Sequence, residues 1–353
     1  MKVYVYPADQ TGCGYYRLIW PAQSLAAAGV DVTVVTDKNS PHMFQAKMTG
    51  HDKMINVLMP PDADVVVLQR PTHKFLIQAI PLMRSKGVAV VIDMDDDLSA
   101  IDANNPAFSI MHPRLGSEHS WQNVQEACES ATLVTVSAPS LLNVYARRTA
   151  GDVLPNYVPR AFTEYRPAEP MPFVGWAGAI FSHPNDLQQM GPTISKVLRE
   201  FGTFRLIGPG DRLETVVGSI LADKIDVVGK IEFLDWHKGL ADHIGVGVAP
   251  TANTRFNRAK SWLKPLEYAS VGVVPISSER VEYVRLQRDY GIGFIAPTTK
   301  DWYRTISRLL KNEGERATLS EMWRQVVIDH LTIERNAFKW LESWTRALAI
   351  QRS

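Results

Sequence analysis

Apolar residues along this chain alternate between two textures, short β-branched runs and longer stretches at helical spacing. Residues 2–6 alternate and are rich in β-prone side chains, which predicts a first strand. From Tyr15 onward, Leu18, Ile19, Ala22, Leu25 and Ala26 recur at helical spacing up to Gly29, and 31–36 predicts a second strand. Strand, glycine-containing loop, helix and strand make a right-handed βαβ unit. Residues 63–68, with Val65, Val66 and Val67 in succession, predict a buried strand, followed by a helix over 73–85 that Gly87 stops. The next strand, 88–92, runs straight into Asp93-Met94-Asp95-Asp96-Asp97. A polar, proline-containing stretch over 99–116 predicts an exposed loop. Helix, strand and helix follow at 118–130, 132–136 and 139–148, and 153–158 predicts a last strand and exit.

The second half repeats the alternation. Strands are predicted at 173–178, 204–208, 225–229, 244–250, 273–277 and 290–295, with helices at 186–201 and 280–288 and from Lys300 to the end. The last helix, 333–351, carries Phe338, Trp340, Leu341, Trp344, Leu348 and Ile350. Between the halves, Pro159, Pro167, Pro170 and Pro172 suit a linker. No short-period repeat is visible. The fold class is therefore α/β. Ligands of such sheets sit at the carboxyl ends of strands, so a cleft between the two halves is the expected site.

A length of 353 residues favours two domains over one core. Lys plus Arg numbers 38 against 37 for Asp plus Glu, so the balance carries no global footprint for nucleic acid or an anionic membrane. Cys13 and Cys128 are the only cysteines, so a disulfide framework is not indicated. The first residues lack a cleavable leader pattern, and no stretch approaches the roughly 18 apolar residues of a membrane span. The cytoplasm is the expected location, and no membrane span is expected.

Chemistry concentrates in one stretch, Phe256-Asn257-Arg258-Ala259-Lys260-Ser261-Trp262-Leu263-Lys264-Pro265-Leu266-Glu267-Tyr268. Lys260, Lys264 and Glu267 recur at helical spacing and are expected to share a face. Two cations and the free N–H groups of a helix start suit a diphosphate, and the carboxylate suits two ribose hydroxyls. Asn257 and Ser261 add polar groups beside them. A solvated helix face is the plainer reading of the same spacing. Near the N-terminus, Gly12-Cys13-Gly14-Tyr15-Tyr16-Arg17 lets the backbone approach an anion, to which Arg17 adds a charge-assisted bond. The glycines alone are equally a tight turn. In Gly175-Trp176-Ala177-Gly178 and the following His183-Pro184-Asn185-Asp186, His183 either meets phosphate or caps a helix together with Asp186. The cluster Asp95, Asp96 and Asp97 beside Asp93 binds a cation, orients an acceptor hydroxyl or caps a turn. His112 is either an acid–base group or a solvated loop residue.

The lysine–glutamate stretch resembles the donor-binding segment of the GT-B glycosyltransferases, especially the retaining glycogen-synthase-like and mannosyltransferase-like group. A branch with Asn257, Lys260, Ser261 and Lys264 in these places includes phage-encoded proteins, whose setting would be the host cytoplasm. The resemblance implies two Rossmann-like domains facing across a cleft, with a C-terminal helix crossing back to the first. The expected boundaries are 1–160 for the acceptor-side domain, 161–172 for the linker, 173–332 for the donor domain and 333–353 for the returning helix. It implies transfer of a sugar from a nucleotide-diphosphate sugar to a hydroxyl acceptor, with retention and without a resident cofactor. Arg17, Lys260 and Lys264 would act on the leaving diphosphate. Gly12, Gly14, Tyr15, Gly178, His183, Asn257, Ser261 and Glu267 would bind the donor. Asp95, Asp96, Asp97 and His112 would lie on the acceptor side. The family often pairs two glutamates separated by seven residues; Glu267 matches the second, and Ala259 stands where the first would be. Asp93-Met94-Asp95 has the spacing that another glycosyltransferase architecture uses for a divalent ion. The lysines supply the neutralising charge without one, so no metal is expected. A noncatalytic nucleotide-binding protein of the same fold, or a transferase acting on DNA bases, are the alternatives.

Overall fold

A computed structural model describes all of the chain except residues 44, 50–52, 59, 61, 106, 117–118, 168–170 and 184. Pro170 of the expected linker and Pro184 of the His183 turn lie outside the described residues. The chain divides into two compact units. The first holds Met1–Ile101, Ala107–Asn156 and Ile333–Ser353, and the second holds Asp102–Pro106 and Tyr157–Thr332.

In the first unit the strands are β1 (Val3–Tyr6), β2 (Val32–Val34), β3 (Gln45–Thr49), β4 (Lys53–Leu58), β5 (Val65–Gln69), β6 (Ala89–Met94), β7 (Leu133–Val136) and β8 (Gly151–Val153). Six of them form a parallel sheet in the order β2-β1-β5-β6-β7-β8, and β3 and β4 pair antiparallel as a separate ribbon. The continuous apolar runs of β5 and β6 are buried along their whole length, as central strands covered on both faces must be. Sequence order reverses between β1 and β5, and their carboxyl ends are where such sheets bind ligands.

The helix after β1 is not uniform. Tyr15–Ile19 makes a wide π turn before the α-helix Trp20–Ala27. Pro21 has no N–H, so the carbonyl of Arg17, four residues earlier, lacks its helical donor. The indole Nε1 of Trp340 donates to that carbonyl at 2.8 Å. The C-terminal helix Phe338–Arg352 thus belongs to the first unit, where it packs on β6 through Trp340, Trp344, Ala347 and Leu348 at i, i+4, i+7 and i+8. Phe338 is 49% exposed, because two residues before Trp340 it lies on the opposite side of the helix.

The second unit contains β9 (Val174–Ala177), β10 (Arg205–Ile207), β11 (Asp226–Gly229), β12 (Val246–Ala249), β13 (Val274–Ser277) and β14 (Phe294–Ile295). They form a parallel sheet in the order β11-β10-β9-β12-β13-β14, the doubly wound arrangement with its switch between β9 and β12. The single helix expected over 186–201 is two pieces, Leu187–Met190 and Thr193–Phe201, since Gly191 at φ +52° and Pro192 interrupt it. The expected strand over 153–158 is also shorter and earlier. Residues beyond β8 leave the sheet, and Val158 pairs in an isolated bridge with Thr332. Arg160–Glu164 is helical, with Phe162 and Thr163 buried.

Candidate functional site

At the switch point of the second sheet, β9 ends in Trp176-Ala177 and turns at Gly178. The helix Leu263–Ser270, which precedes β13, brings Lys264 and Glu267 to this turn one helical turn apart. Lys264 Nζ donates to the Ala177 carbonyl at 2.7 Å and lies 4.5 Å from the Trp176 ring centroid, a cation–π contact. Tyr268, on the same helix, accepts from Ala177 N–H at 3.0 Å and donates to the Val248 carbonyl at 3.3 Å. It therefore ties β9 to β12 where the two strands diverge. A Cβ on Gly178 would lie 3.1 Å from Lys264 Nζ and 3.0 Å from Trp176, with the backbone at φ +151°. Only glycine leaves the ammonium this approach to the strand end.

Burial pushes the Lys264 amine down to about 8; Asp186 and Glu267 act against that shift, and Lys260 adds to it. Lys260 is therefore close to Lys264, but not for the expected reason. The helix begins at Leu263, and Lys260 sits in the connection after the short helix Arg255–Arg258, its Nζ 4.5 Å from the Phe256 ring centroid. Ser261 lies in the same connection. Ala259, where the resemblance would put a first glutamate, is buried.

Asp186 organises the neighbouring turn. Its Oδ2 is 3.1 Å from His183 Nδ1, and its Oδ1 accepts from the Ala252 N–H at 2.9 Å and the Asn257 amide at 3.2 Å. Burial opposes its charge, but the bonds from His183 and Ala252 and the field of Lys264 hold its carboxyl below the ordinary value. Desolvation keeps His183 below its ordinary value, against the pull of Asp186. The expected capping role is not seen, because the Asp186 side chain makes no cap bond to its own helix. It reaches instead to the loop after β12, and Asn257 is held by it. Arg280, at the start of the helix Val281–Tyr290 that follows β13, carries no sequence signal for the site. Its Nε is buried with no hydrogen-bond partner among the described residues, within the field of Asp186 and Tyr283.

In the first unit the Gly12–Gly14 turn is held by Asp9, whose Oδ1 accepts from Thr11 N–H at 2.9 Å and Gly14 N–H at 3.1 Å. A Cβ on Gly14 would meet the Asp9 carbonyl at 1.8 Å, so glycine is required. Tyr15 packs its ring on Trp20. Arg17 is placed differently from expectation. It is 0% exposed, and its Nε and Nη2 bond both oxygens of the equally buried Asp93 at 3.0 and 2.8 Å. Nη1 donates to Asn156 Oδ1 at 2.9 Å and to the Leu154 carbonyl. The guanidinium ties β6 to the segment after β8 and is directed into the core. Its neighbours Tyr16, Leu18 and Ile19 are buried, the one sequence signal that pointed inward.

The acidic cluster is likewise partnered. Asp95 pairs with Arg70 Nε, Asp96 lies 3.4 Å from Arg70 Nη2, and Asp97 accepts from Ser99 N–H at 3.2 Å as the cap of a 3₁₀ turn. Arg70 stands at the carboxyl end of β5 with φ +45° and was also missed from sequence. Among the described residues no three His, Cys, Asp or Glu side chains are grouped as a metal site. His112 Nδ1 accepts the N–H groups of Arg114 and Leu115 at 3.1 and 3.0 Å, closing its own turn.

These two Rossmann-like sheets, with a C-terminal helix returned to the first, define the GT-B fold. Among solved structures, sucrose-phosphate synthase from Thermosynechococcus elongatus matches at a TM-score of 0.63 and 14% identity, over 99% of this chain and 100% of that one. A glycosyltransferase from Rickettsia africae matches at 0.65 and 13%, over 98% of both chains. Anabaena HepE in complex with UDP matches at 0.62 and 13%, over 98% of this chain and 100% of its own. No family model and no curated protein sequence matches the chain.

Proposed function

We propose that the chain is a GT-B glycosyltransferase that moves a sugar from a nucleotide-diphosphate sugar to a hydroxyl acceptor, with retention at the anomeric carbon. The observation that carries this reading is Lys264 and Glu267 on one helix at the β9–β12 switch, in a fold shared with a structure holding UDP. Lys264, with Lys260 beside it, neutralises charge gathering on the leaving diphosphate. Glu267 accepts the ribose hydroxyls. Gly178, His183, Asn257 and Ser261 shape the donor pocket, with Arg280 as a further cation. Gly12, Gly14 and Tyr15 are assigned to the donor by resemblance, and Asp95, Asp96, Asp97 and His112 to the acceptor side. No resident cofactor or metal is invoked, and the cytoplasm is the proposed location. Among the described residues no helix is long and apolar enough to cross a membrane.

The test is incubation with a panel of UDP-, GDP- and ADP-sugars and candidate hydroxyl acceptors, with and without EDTA. Release of nucleoside diphosphate in EDTA is expected with one donor. Glu267→Gln is expected to weaken that donor by about 1.5–3 kcal/mol, ten- to hundredfold, because a charged acceptor becomes a neutral amide. Nucleotide binding without turnover would favour the noncatalytic reading, for which the buried Ala259 speaks. Activity lost in EDTA and restored by Mn²⁺ would overturn the metal-free route.

A further inference from the structure

At the opposite, amino-terminal end of the second sheet lies a pocket of about 220 Å³ that the proposed reaction does not use. Its floor is Gly245, at the start of β12, and Val271-Gly272-Val273, leading into β13. One wall is the helix Glu313–Val326, which contributes Arg316, Ala317, Ser320 and Arg324; Arg166 stands at the rim.

Arg324 is the notable group. It is 4% exposed, and its Nη2 donates to the Val271 carbonyl at 3.2 Å. Its Nε and Nη1 are buried with no hydrogen-bond partner among the described residues. The carboxylate of Glu321 lies 3.8 Å from Nη1, but that side chain is 64% exposed, and a pair at this distance on the surface contributes little. Arg316, 5% exposed, spends one nitrogen on the Leu309 carbonyl at 2.8 Å and faces the same space as Gly245. Glycine at 272 is what admits the guanidinium. A Cβ there would sit 1.8 Å from Arg324 Nη2, on a backbone at φ +81°. The two unmet donors of Arg324 beside a void are costly to hold buried. An oxyanion meets them with charge-assisted bonds. Glu313 and Glu321 at the mouth reduce the net charge, which suits an anion of low charge over a polyphosphate.

We propose that this pocket is a second, separate site that binds a phosphate group, free or as a small phosphomonoester, on Arg316, Arg324 and Ser320. It stands independently of the donor site and of the reading placed on it.

The test is calorimetric titration of the full chain with inorganic phosphate and, in a second arm, with glycerol phosphate, at matched ionic strength. Saturable binding is expected, weakened at least tenfold by Arg316→Lys or Arg324→Lys and still present in Lys264→Met. Tighter binding of one probe than of the other identifies free phosphate or a phosphomonoester as the ligand. Since the arginine variants are in the core, Ala317→Glu supplies the gentler control. It places a carboxylate on an exposed, helix-compatible position at the mouth and is expected to abolish binding in a folded protein. No saturable binding of either probe would overturn the proposal. So would binding that Lys264→Met removes, or binding that survives Ala317→Glu.

Discussion

Arg17→Ala is expected to destabilise the protein by about 3–5 kcal/mol, the cost of leaving one member of a buried ion pair without the other. Asp93 would keep the Thr135 hydroxyl at 2.7 Å but lose both guanidinium bonds, in a place with no solvent to replace them. Asn156 and the Leu154 carbonyl would lose their donor as well. The double variant Arg17→Met/Asp93→Leu removes the stranded charge and is expected to recover at least half of the loss. Urea unfolding of the two variants checks both statements. A single variant that unfolds like wild type while turnover collapses would return Arg17 to the diphosphate.

Lys264→Met is expected to lower kcat by about 10²–10³, in line with removing one preorganised group from a developing charge. Methionine keeps most of the stem packing on Trp176, so stability is a separate readout. The pH dependence follows from an amine held near 8 against an ordinary 10.5. Below about pH 8 native and unfolded chains both carry the proton, and this group adds no pH slope. Between about 8 and 10.5 the unfolded chain still holds a proton that the native chain has released. Stability therefore rises with pH across that window, and the slope is absent in Lys264→Met. Nucleotide binding moves the opposite way, because a diphosphate needs the ammonium. Its dissociation constant is expected to weaken up to tenfold per pH unit above about 8. Affinity flat from pH 7 to 9.5, or a methionine variant with wild-type kcat, would remove Lys264 from the diphosphate.

What was legible in the sequence follows from where the signal lies. Central strands such as β5 are apolar on both faces, so they read as uninterrupted runs. The ribbon β3–β4 went unread. Its polar positions hide the two-residue period, and Ile55 is exposed while Met54 and Val57 are buried. Lys264 and Glu267 were readable as neighbours because one short helix sets their spacing. Lys260 was assigned to that helix wrongly, since no cap residue in the sequence marks its start at Leu263. Arg17 and Asp186 were misread for another reason. Each has its role fixed by partners 66–139 positions away, at Ala252, Asn257, Asp93, Leu154 and Asn156, and no local pattern carries that.

The bond from Trp340 to the Arg17 carbonyl ties the timing of synthesis to the first unit. Residues up to Asn156 leave the ribosome carrying every strand of the first sheet, but not the helix that covers β6. At roughly 5–20 residues per second, the stretch Tyr157–Thr332 delays that helix by about 10–40 s. Chains arrested at Thr332 are accordingly expected to be more protease-sensitive in 1–156 than full chains released from the ribosome, and equal sensitivity would count against this. The surface of β6 that Trp340, Trp344, Ala347 and Leu348 cover therefore stays open while the second unit is made.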